Sequence, residues 1–410
     1  MIQFGSEPVR NPARLGFDKT RLTRLKPWMQ HYTDTGRWPG GAVLVARHGE
    51  LAYFDCAGYA DVEAKRPWQR DLIARIYSMT KPVTAVALMM LYEEASVHLD
   101  DPVEAYLPEF KNRQLLTPGA TSLDQTVPVK TKMTIRHLLS HTSGLSYLSN
   151  PRLLGEAYAR EKLGLNLAYG GLDQMVRRIA ELPLEWEPGI KWQYSAAVDV
   201  IGRIVEVVSG MTLDKYFATR IFEPLGMTDT GFSIPDSGLS RFPSLYQATP
   251  TGMTLNETPD ASLWRQSKVN TFCGGGGLVG TIDDYWRFAE MLRQGGELGG
   301  ERLLSPRTLK LAACNHLPGD IASMGPNSWA ETSFEGVGFC LLGSVILDPA
   351  KAQASAQVGD YGWGGAAGTF FWVSPVDDMV VILFTQLLPS SAIPVRKELR
   401  ALVHGALTGT

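Results

Sequence analysis

An α+β fold is predicted from three features of the sequence. Short apolar runs joined by tight turns lie near both ends of the chain. The stretch between them has helical periodicity. One helix in that stretch is apolar almost all round. Strands joined by tight turns pair antiparallel, so the sheet is antiparallel and built from both ends of the chain, with helices flanking it and a helical second domain between.

The elements follow in chain order. After Pro39-Gly40-Gly41, the apolar run Ala42 to Ala46 is broken by Arg47-His48-Gly49-Glu50 and resumes from Leu51 to Phe54, which reads as a β-hairpin. Pro82 to Val97 is the all-apolar segment and reads as a central buried helix. Thr134 to Leu139, Leu172 to Glu181, Ala196 to Ser209 and Leu213 to Ile221 have helical spacing. Thr281 to Gln294 is another helix, stopped by Gly295-Gly296. A strand is expected around Val337 to Leu342. A second hairpin runs from Thr369 to Val373, through the turn Ser374-Pro375-Val376-Asp377-Asp378, to Met379 to Thr385. Asn112 to Lys132 and Gly231 to Thr271 read as loops. The expected organisation is a discontinuous α/β domain of residues 1–80 and 270–410 with a mainly helical domain of residues 81–269.

The 410 residues are enough for a large core. An apolar fraction of 44% and a charged fraction of 20% are ordinary for a globular protein. A formal net charge of −3 without basic clusters excludes a nucleic-acid surface. No apolar stretch reaches the length of a membrane span. The first residues, MIQFGSEPVRNPARLGF, lack a charged segment followed by an apolar one, so no secretory signal is expected and the cytoplasm is the expected location. Cys56, Cys273, Cys314 and Cys340 form no C-x-x-C pair and no zinc spacing, so reduced, mostly buried thiols are expected.

Ser78-Met79-Thr80-Lys81 opens the central helix, with Pro82 tolerated in its first turn. A serine there meets the positive end of the helix dipole, and the lysine three residues on shares its helix face. A hydroxyl needs a base to become a nucleophile, and a lysine serves only when burial or nearby charge lets it be neutral. The S-x-x-K pattern alone arises by chance on the order of once in a chain this long, and a serine at a helix start is usually only a cap. Its company raises its meaning. Tyr194-Ser195 follows the Pro188-Gly189 turn and precedes a helix, where a phenol can point into a cleft and share acid/base work; a core tyrosine is the ordinary alternative. Gly362-Trp363-Gly364-Gly365-Ala366 precedes the strand at Thr369. Glycines there let a substrate lie against the strand edge. A backbone N–H on that strand can complete an oxyanion hole with the N–H of Ser78, and Trp363 can wall the substrate pocket.

These three pieces, in this order, resemble the serine β-lactamase superfamily, and more closely the class C β-lactamases and family VIII carboxylesterases. The segments Thr134-Ile135-Arg136-His137-Leu138-Leu139-Ser140-His141-Thr142-Ser143-Gly144-Leu145, Phe222-Glu223-Pro224-Leu225-Gly226-Met227 and Gly274-Gly275-Gly276-Gly277-Leu278 look like the same family. The resemblance covers most of the chain. It implies a β-lactamase-like fold with the active site between two domains, Ser78 as nucleophile, and Lys81 with Tyr194 as the general acid/base pair. The implied oxyanion hole is the backbone of Ser78 and Ala366, and Trp363, Gly364 and Gly365 line the substrate site. No cofactor and no metal are implied.

The departures point to the substrate. β-Lactamases carry Tyr-x-Asn or Ser-x-Asn as the second motif, and Ala196 stands at the third position here. Their third motif is Lys-Thr-Gly or similar, and Trp363-Gly364-Gly365 stands here. Polar recognition of an anionic substrate is lost and an aromatic wall replaces it. The expected activity is hydrolysis of small, short-chain esters through an acyl-enzyme, with weak cephalosporin hydrolysis, acyl transfer to an alcohol or amine, and D-amino-acid peptidase activity as alternatives on the same fold. A non-catalytic binding protein is the alternative of a different class. His137 and His141 stand four apart, but no H-E-x-x-H pattern exists, so they are expected to be structural. Gly275 to Gly280 matches G-x-G-x-x-G formally, without the βαβ context of a dinucleotide site. G-x-S-x-G is absent, which argues against an α/β-hydrolase. The expected partner is a small-molecule ester, and the oligomeric state is left open.

Overall fold

A computed structural model describes residues 7–9 and 11–408. Its sheet contains β1 (Gly40–Arg47), β2 (Glu50–Asp61), β3 (Arg66–Pro67), β4 (Val337–Cys340), β5 (Gly343–Ile346), β6 (Tyr361–Gly364), β7 (Phe370–Ser374) and β8 (Met379–Thr385). The helices that bear on the site are α1 (Leu25–Asp34), α2 (Thr80–Glu93), α3 (Ile135–Leu139), α4 (Leu172–Glu181), α5 (Ala197–Ser209), α6 (Ile282–Arg293) and α7 (Val395–His404). The strand order is β4-β5-β6-β7-β8-β1-β2-β3, and every pairing is antiparallel. The expected α+β class and antiparallel sheet are thus observed, with the two ends of the chain meeting at the centre through β1 and β8.

The β1–β2 turn shows why this hairpin forms. Arg47 pairs with Glu50, so His48 and Gly49 are the whole loop, with φ of 55° and 79°. Two positive φ values make the mirror-image turn whose twist matches that of the strands. Every residue of β1 and β8 is buried. The period-2 alternation sends neighbouring residues to opposite faces. Ala42, Leu44, Ala46, Phe371, Val380 and Ile382 enter the large core shared with the central helices. Val43, Val45, Phe370, Trp372, Val381 and Leu383 enter a second core, closed by Leu25 and Met29 of α1 and Leu399 and Val403 of α7. A sheet covered on both faces explains why its strands read as continuous apolar runs. Neither α1 nor α7 was among the elements expected from sequence. Trp28 Nε1 and the Tyr32 hydroxyl both donate to Glu398 Oε2, at 2.7 and 2.9 Å, and tie the two together.

Two segments expected to be loops contain strands. Gln114–Leu116 pairs with Thr126–Pro128, and Leu245–Thr249 with Gly252–Glu257. These strands are half exposed and polar along much of their length. The second pair gains a partner remote in sequence, Leu387–Leu388. The Leu213 helix also differs, giving way after Phe217 to a π-helical turn, Ala218–Phe222.

α2 is buried from Thr80 to Leu91, as its composition predicts, and packs on α5. The segment leading into α2 is latched by a buried cation. Arg75 is 0% exposed. It pairs with Glu257 at 2.5 Å and donates to Pro243 O at 2.8 Å, and its guanidinium carbon lies 4.0 Å from the Phe242 ring centroid. Its backbone N–H donates to Gln386 Oε1, while Gln386 Nε2 donates back to Arg75 O. The residues just before Ser78 are therefore bolted to the chain that leaves β8. Among the described residues no helix is long and apolar enough to cross a membrane, and all four cysteines are free.

Candidate active site

Ser78 lies in a single 3₁₀ turn, Tyr77–Met79, that runs into α2. The turn has unusual geometry. Tyr77 has φ of +45°, a left-handed conformation that a bulky residue holds only when its surroundings impose it. Those surroundings are visible. The Tyr77 ring is edge-on to Trp264 at 5.3 Å, and burial raises its phenol to about 12. Ile76 N–H donates to Leu278 O, and Leu278 N–H donates to Thr80 Oγ1, each at 3.1 Å. Ser78 does not cap the helix. The N-cap of α2 is Met79, which makes no side-chain cap bond. The Ser78 hydroxyl is left for other partners.

Those partners are the two residues singled out in the sequence. Tyr194 donates its phenol O–H to Ser78 Oγ at 2.6 Å. Lys81 Nζ lies 3.3 Å from the same oxygen and donates to Gly275 O at 2.6 Å. Lys81 is 5% exposed, so the helix buries it as its apolar composition predicts. The lysine also lies over the Tyr194 ring, 4.6 Å from its centroid. Tyr194 is placed by the turn into α5, where Gln193 N–H donates to His141 O and Ala196 N–H to Ser146 O. Ala196 is fully buried, so the position that carries an amide in β-lactamases faces the core.

Three rings surround Tyr194. His141, Tyr147 and Trp363 have centroids 4.8, 5.4 and 5.8 Å from it. His141 is buried, holds Nδ1 3.1 Å from Ser195 Oγ, and leaves Nε2 without a partner. Burial, reinforced by Lys81, keeps it well below the ordinary histidine range, hence neutral. The two histidines set four apart thus separate. His137 Nδ1 accepts from Thr134 N–H in the capping box of α3, while His141 walls the tyrosine. Among the described residues no group of three or more His, Cys, Asp or Glu converges as a metal site would require.

The glycine-rich stretch near the C-terminal hairpin is partly strand. Trp363 and Gly364 belong to β6, and the chain turns through Gly365 to Gly368 into β7. Gly365 is required by close approach, because a Cβ there would sit 2.4 Å from Ile76 O. This turn therefore lies directly against the segment preceding Ser78. Thr369 Oγ1 donates to Ile76 O at 3.3 Å and fixes the same junction. Within the turn, Gly365 N–H donates to Thr369 O and Gly368 N–H to Gly365 O. Ala366, between them, is exposed.

One neighbour was not foreseen. Arg396, on α7, places Nη2 3.0 Å from the point where a Gly364 Cβ would stand, and its guanidinium lies over the Phe370 ring. Burial lowers its basicity, while Glu331 and Tyr194 oppose that. A cation is thus present beside β6, although residue 363 is a tryptophan. No local pattern marks Arg396. The sheet order, which brings α7 across the face of β7, delivers it.

The chain is similar to known proteins along nearly its whole length. The Beta-lactamase family model matches residues 25–405. The esterase EstB of Burkholderia gladioli is 36% identical over 395 residues, 92% of this chain and 93% of its own. The acyltransferase calJ of Penicillium decumbens is 31% identical over 343 residues, 80% of this chain and 78% of its own. Among solved structures, EstCE1, described as a hydrolase with promiscuous acyltransferase activity, superposes with a TM-score of 0.79 at 30% identity, covering 95% of this chain and 99% of that one. A family model that spans nearly the whole chain, an esterase relative aligned along it, and a shared fold from first strand to last make this protein a member of the β-lactamase family, on its family VIII carboxylesterase side.

Proposed function

We propose that this protein is a serine carboxylesterase that hydrolyses small, mainly short-chain acyl esters through an acyl-enzyme. The observation that carries the reading is the convergence on Ser78 Oγ of Lys81, one helical turn away, at 3.3 Å, and of Tyr194, 116 residues on, at 2.6 Å. In the first step the Lys81–Tyr194 pair takes the Ser78 proton, and Oγ attacks the ester carbonyl carbon. The negative charge moves to the carbonyl oxygen, held by the backbone N–H groups of Ser78 and Ala366. Collapse expels the alcohol, which leaves with the proton. Water then gives its proton to the pair, attacks the acyl carbon, and releases the acid as Ser78 regains its hydrogen. Every step uses side chains and backbone N–H groups alone, so no cofactor or metal enters.

Trp363, Gly364 and Gly365 line the substrate side of this site. Trp363 packs edge-on against Phe339 at 5.2 Å, which braces it as an apolar wall. An aromatic wall favours neutral esters. Weak cephalosporin hydrolysis fits the same acylating machinery. A second reading, transfer of the acyl group to an alcohol or amine, is supported by the activities named for EstCE1 and calJ. In domain terms, the cleft belongs at the boundary of residues 1–80 and 270–410 with residues 81–269. A cytoplasmic location fits the four free thiols.

The test is Ser78→Ala with a short-chain nitrophenyl ester, followed by a panel of longer esters, a chromogenic cephalosporin and an added alcohol acceptor. Loss of about 10³-fold or more in kcat is expected, with no labelling of the variant by a fluorophosphonate. Near-normal turnover by Ser78→Ala would overturn the reading.

A further inference from the structure

Gly275, whose carbonyl receives Lys81, is itself held through its N–H. Gly275 N–H donates to Asp199 Oδ1 at 2.9 Å, while Gly275 O accepts from Lys81 Nζ at 2.6 Å. One residue's backbone therefore bridges a carboxylate to the lysine, through its N–H on one side and its C=O on the other. Gly275 is needed for this approach, since a Cβ would stand 2.6 Å from Asp199 Oδ2. Asp199 is 1% exposed, in the first turn of α5, the helix that Tyr194 precedes. Burying a carboxylate is costly unless something in the fold uses or compensates it. Here burial raises the carboxyl, and Lys81 and the Gly275 N–H oppose it.

The other groups facing this cluster add no negative charge. Burial holds the Tyr147 phenol and the Cys273 thiol well above their ordinary ranges. Tyr77 stands at about 12, and His141 is held well below its own range. All four stay uncharged through the working range. Arg396 is an arginine, whose guanidinium adds no negative charge in any protonation state. Asp199 therefore supplies the negative charge that Lys81 faces, next to a tyrosine whose hydroxyl touches Ser78.

We propose that Asp199 is the positioning residue that sets the charge state of the Ser78 site. Through the Gly275 backbone it fixes where Lys81 Nζ lies. A carboxylate there favours an ammonium over a neutral amine opposite it, which leaves the Tyr194 oxygen to accept the Ser78 proton. Once the Tyr194 phenol has given its own proton to solvent, the Ser78 proton passes from Oγ to the Tyr194 oxygen as the C–O bond forms, and from Tyr194 to the departing alkoxide as the ester C–O bond breaks. The inference rests on Ser78 being the nucleophile, as proposed above.

The experiment is the pH profile of kcat/KM for a short-chain nitrophenyl ester, in the wild type and in Asp199→Asn. Asparagine keeps an oxygen for the Gly275 N–H and removes the charge. Without the anion an ammonium at Lys81 is less favoured, so both limbs of the profile move to lower pH, by about half a unit or more, and the plateau falls about tenfold. A fall in rate with both limbs unmoved assigns Asp199 to packing alone and overturns the proposal, as does an unchanged profile. Should Asp199→Asn not fold, Gly275→Ala serves instead, because its methyl displaces the carboxylate while leaving it charged. The same downward shift is then expected, and unmoved limbs overturn the proposal. Failure of the esterase reading shows separately, as a wild type that neither turns over esters nor is labelled at Ser78.

Discussion

Replacing Tyr194 with phenylalanine isolates the contribution of one oxygen atom. The ring of Tyr194 is held by His141, Tyr147 and Trp363 at 4.8, 5.4 and 5.8 Å, and phenylalanine keeps all three contacts. Only the hydroxyl 2.6 Å from Ser78 Oγ is lost. Ser78 retains Lys81 at 3.3 Å, so no buried group is left unpaired and Tm is expected to move by no more than about 1 °C. Removing the group that carries the proton forfeits a factor of about 10² to 10⁴. At ~1.4 kcal/mol per factor of ten, that is about 3 to 6 kcal/mol of transition-state stabilisation. The remaining lysine is farther from the oxygen and is engaged by Gly275 O at 2.6 Å, which argues for the upper half of this range. The assay is steady-state hydrolysis of p-nitrophenyl butyrate with a pre-steady-state burst. The loss is expected in kcat, with KM changed by less than about threefold, and in both burst and steady-state phases, because acylation and deacylation each need a proton carrier. A variant that keeps kcat/KM within tenfold of the wild type would show that Tyr194 does not carry the proton.

Two predictions concern the frame around the site. Arg75→Met should cost about 3 kcal/mol, the low end for breaking a buried pair, because Glu257 retains some contact with solvent. At ~2.1 cal/mol/K per residue this is a Tm loss of roughly 3 to 4 °C, accompanied by slower Ser78 labelling, since Arg75 latches the chain ahead of the serine; a Tm within 1 °C of the wild type would contradict the latch. Asp284, buried on α6, has its carboxyl raised from 3.8 to about 6, chiefly by burial. A folded-state value above the unfolded one means that ionisation disfavours the fold, so this residue's contribution falls as pH rises from about 4 to about 6 and is level above that. The Tm of Asp284→Asn should therefore gain on the wild type across that window, and a pH-independent difference would refute the sign.

How much of this was legible in the sequence depends on the range of the interaction. Local patterns were readable. His48-Gly49 predicted the β1–β2 hairpin, Thr281 and the Gly295-Gly296 pair bounded α6, and the apolar run after Ser78 predicted a buried α2. The trio of Ser78, Lys81 and Tyr194 was found because each sits at a helix start with a recognisable neighbour. What escaped reading is held by the tertiary fold. Arg396 reaches β6 only because α7 crosses the sheet, and the Leu387–Leu388 strand finds Tyr246 and Gln247 with no local signal in either. Asp199 falls among apolar residues of an ordinary amphipathic helix, and only the approach of Gly275 gives it meaning. The Gly274 to Gly277 run was visible as a motif, but its work, holding a lysine, depends on a helix that arrives from elsewhere.

The pairing of β1 with β8 has a consequence for the order of events during synthesis. Thr385 Oγ1 donates to Gly40 O across 345 residues of chain. At about 5 to 20 residues per second, the ribosome delivers the second partner roughly 20 to 70 s after the first. Throughout that interval the β1–β2 hairpin has one apolar edge open, and the face it shares with α1 lacks α7, the last helix to be made. Its centre cannot close early, because the strand that closes it has not yet been made. The growing chain is therefore at its most adhesive for most of its synthesis, and a chaperone acting on the nascent N-terminal hairpin should influence yield more than any later folding step.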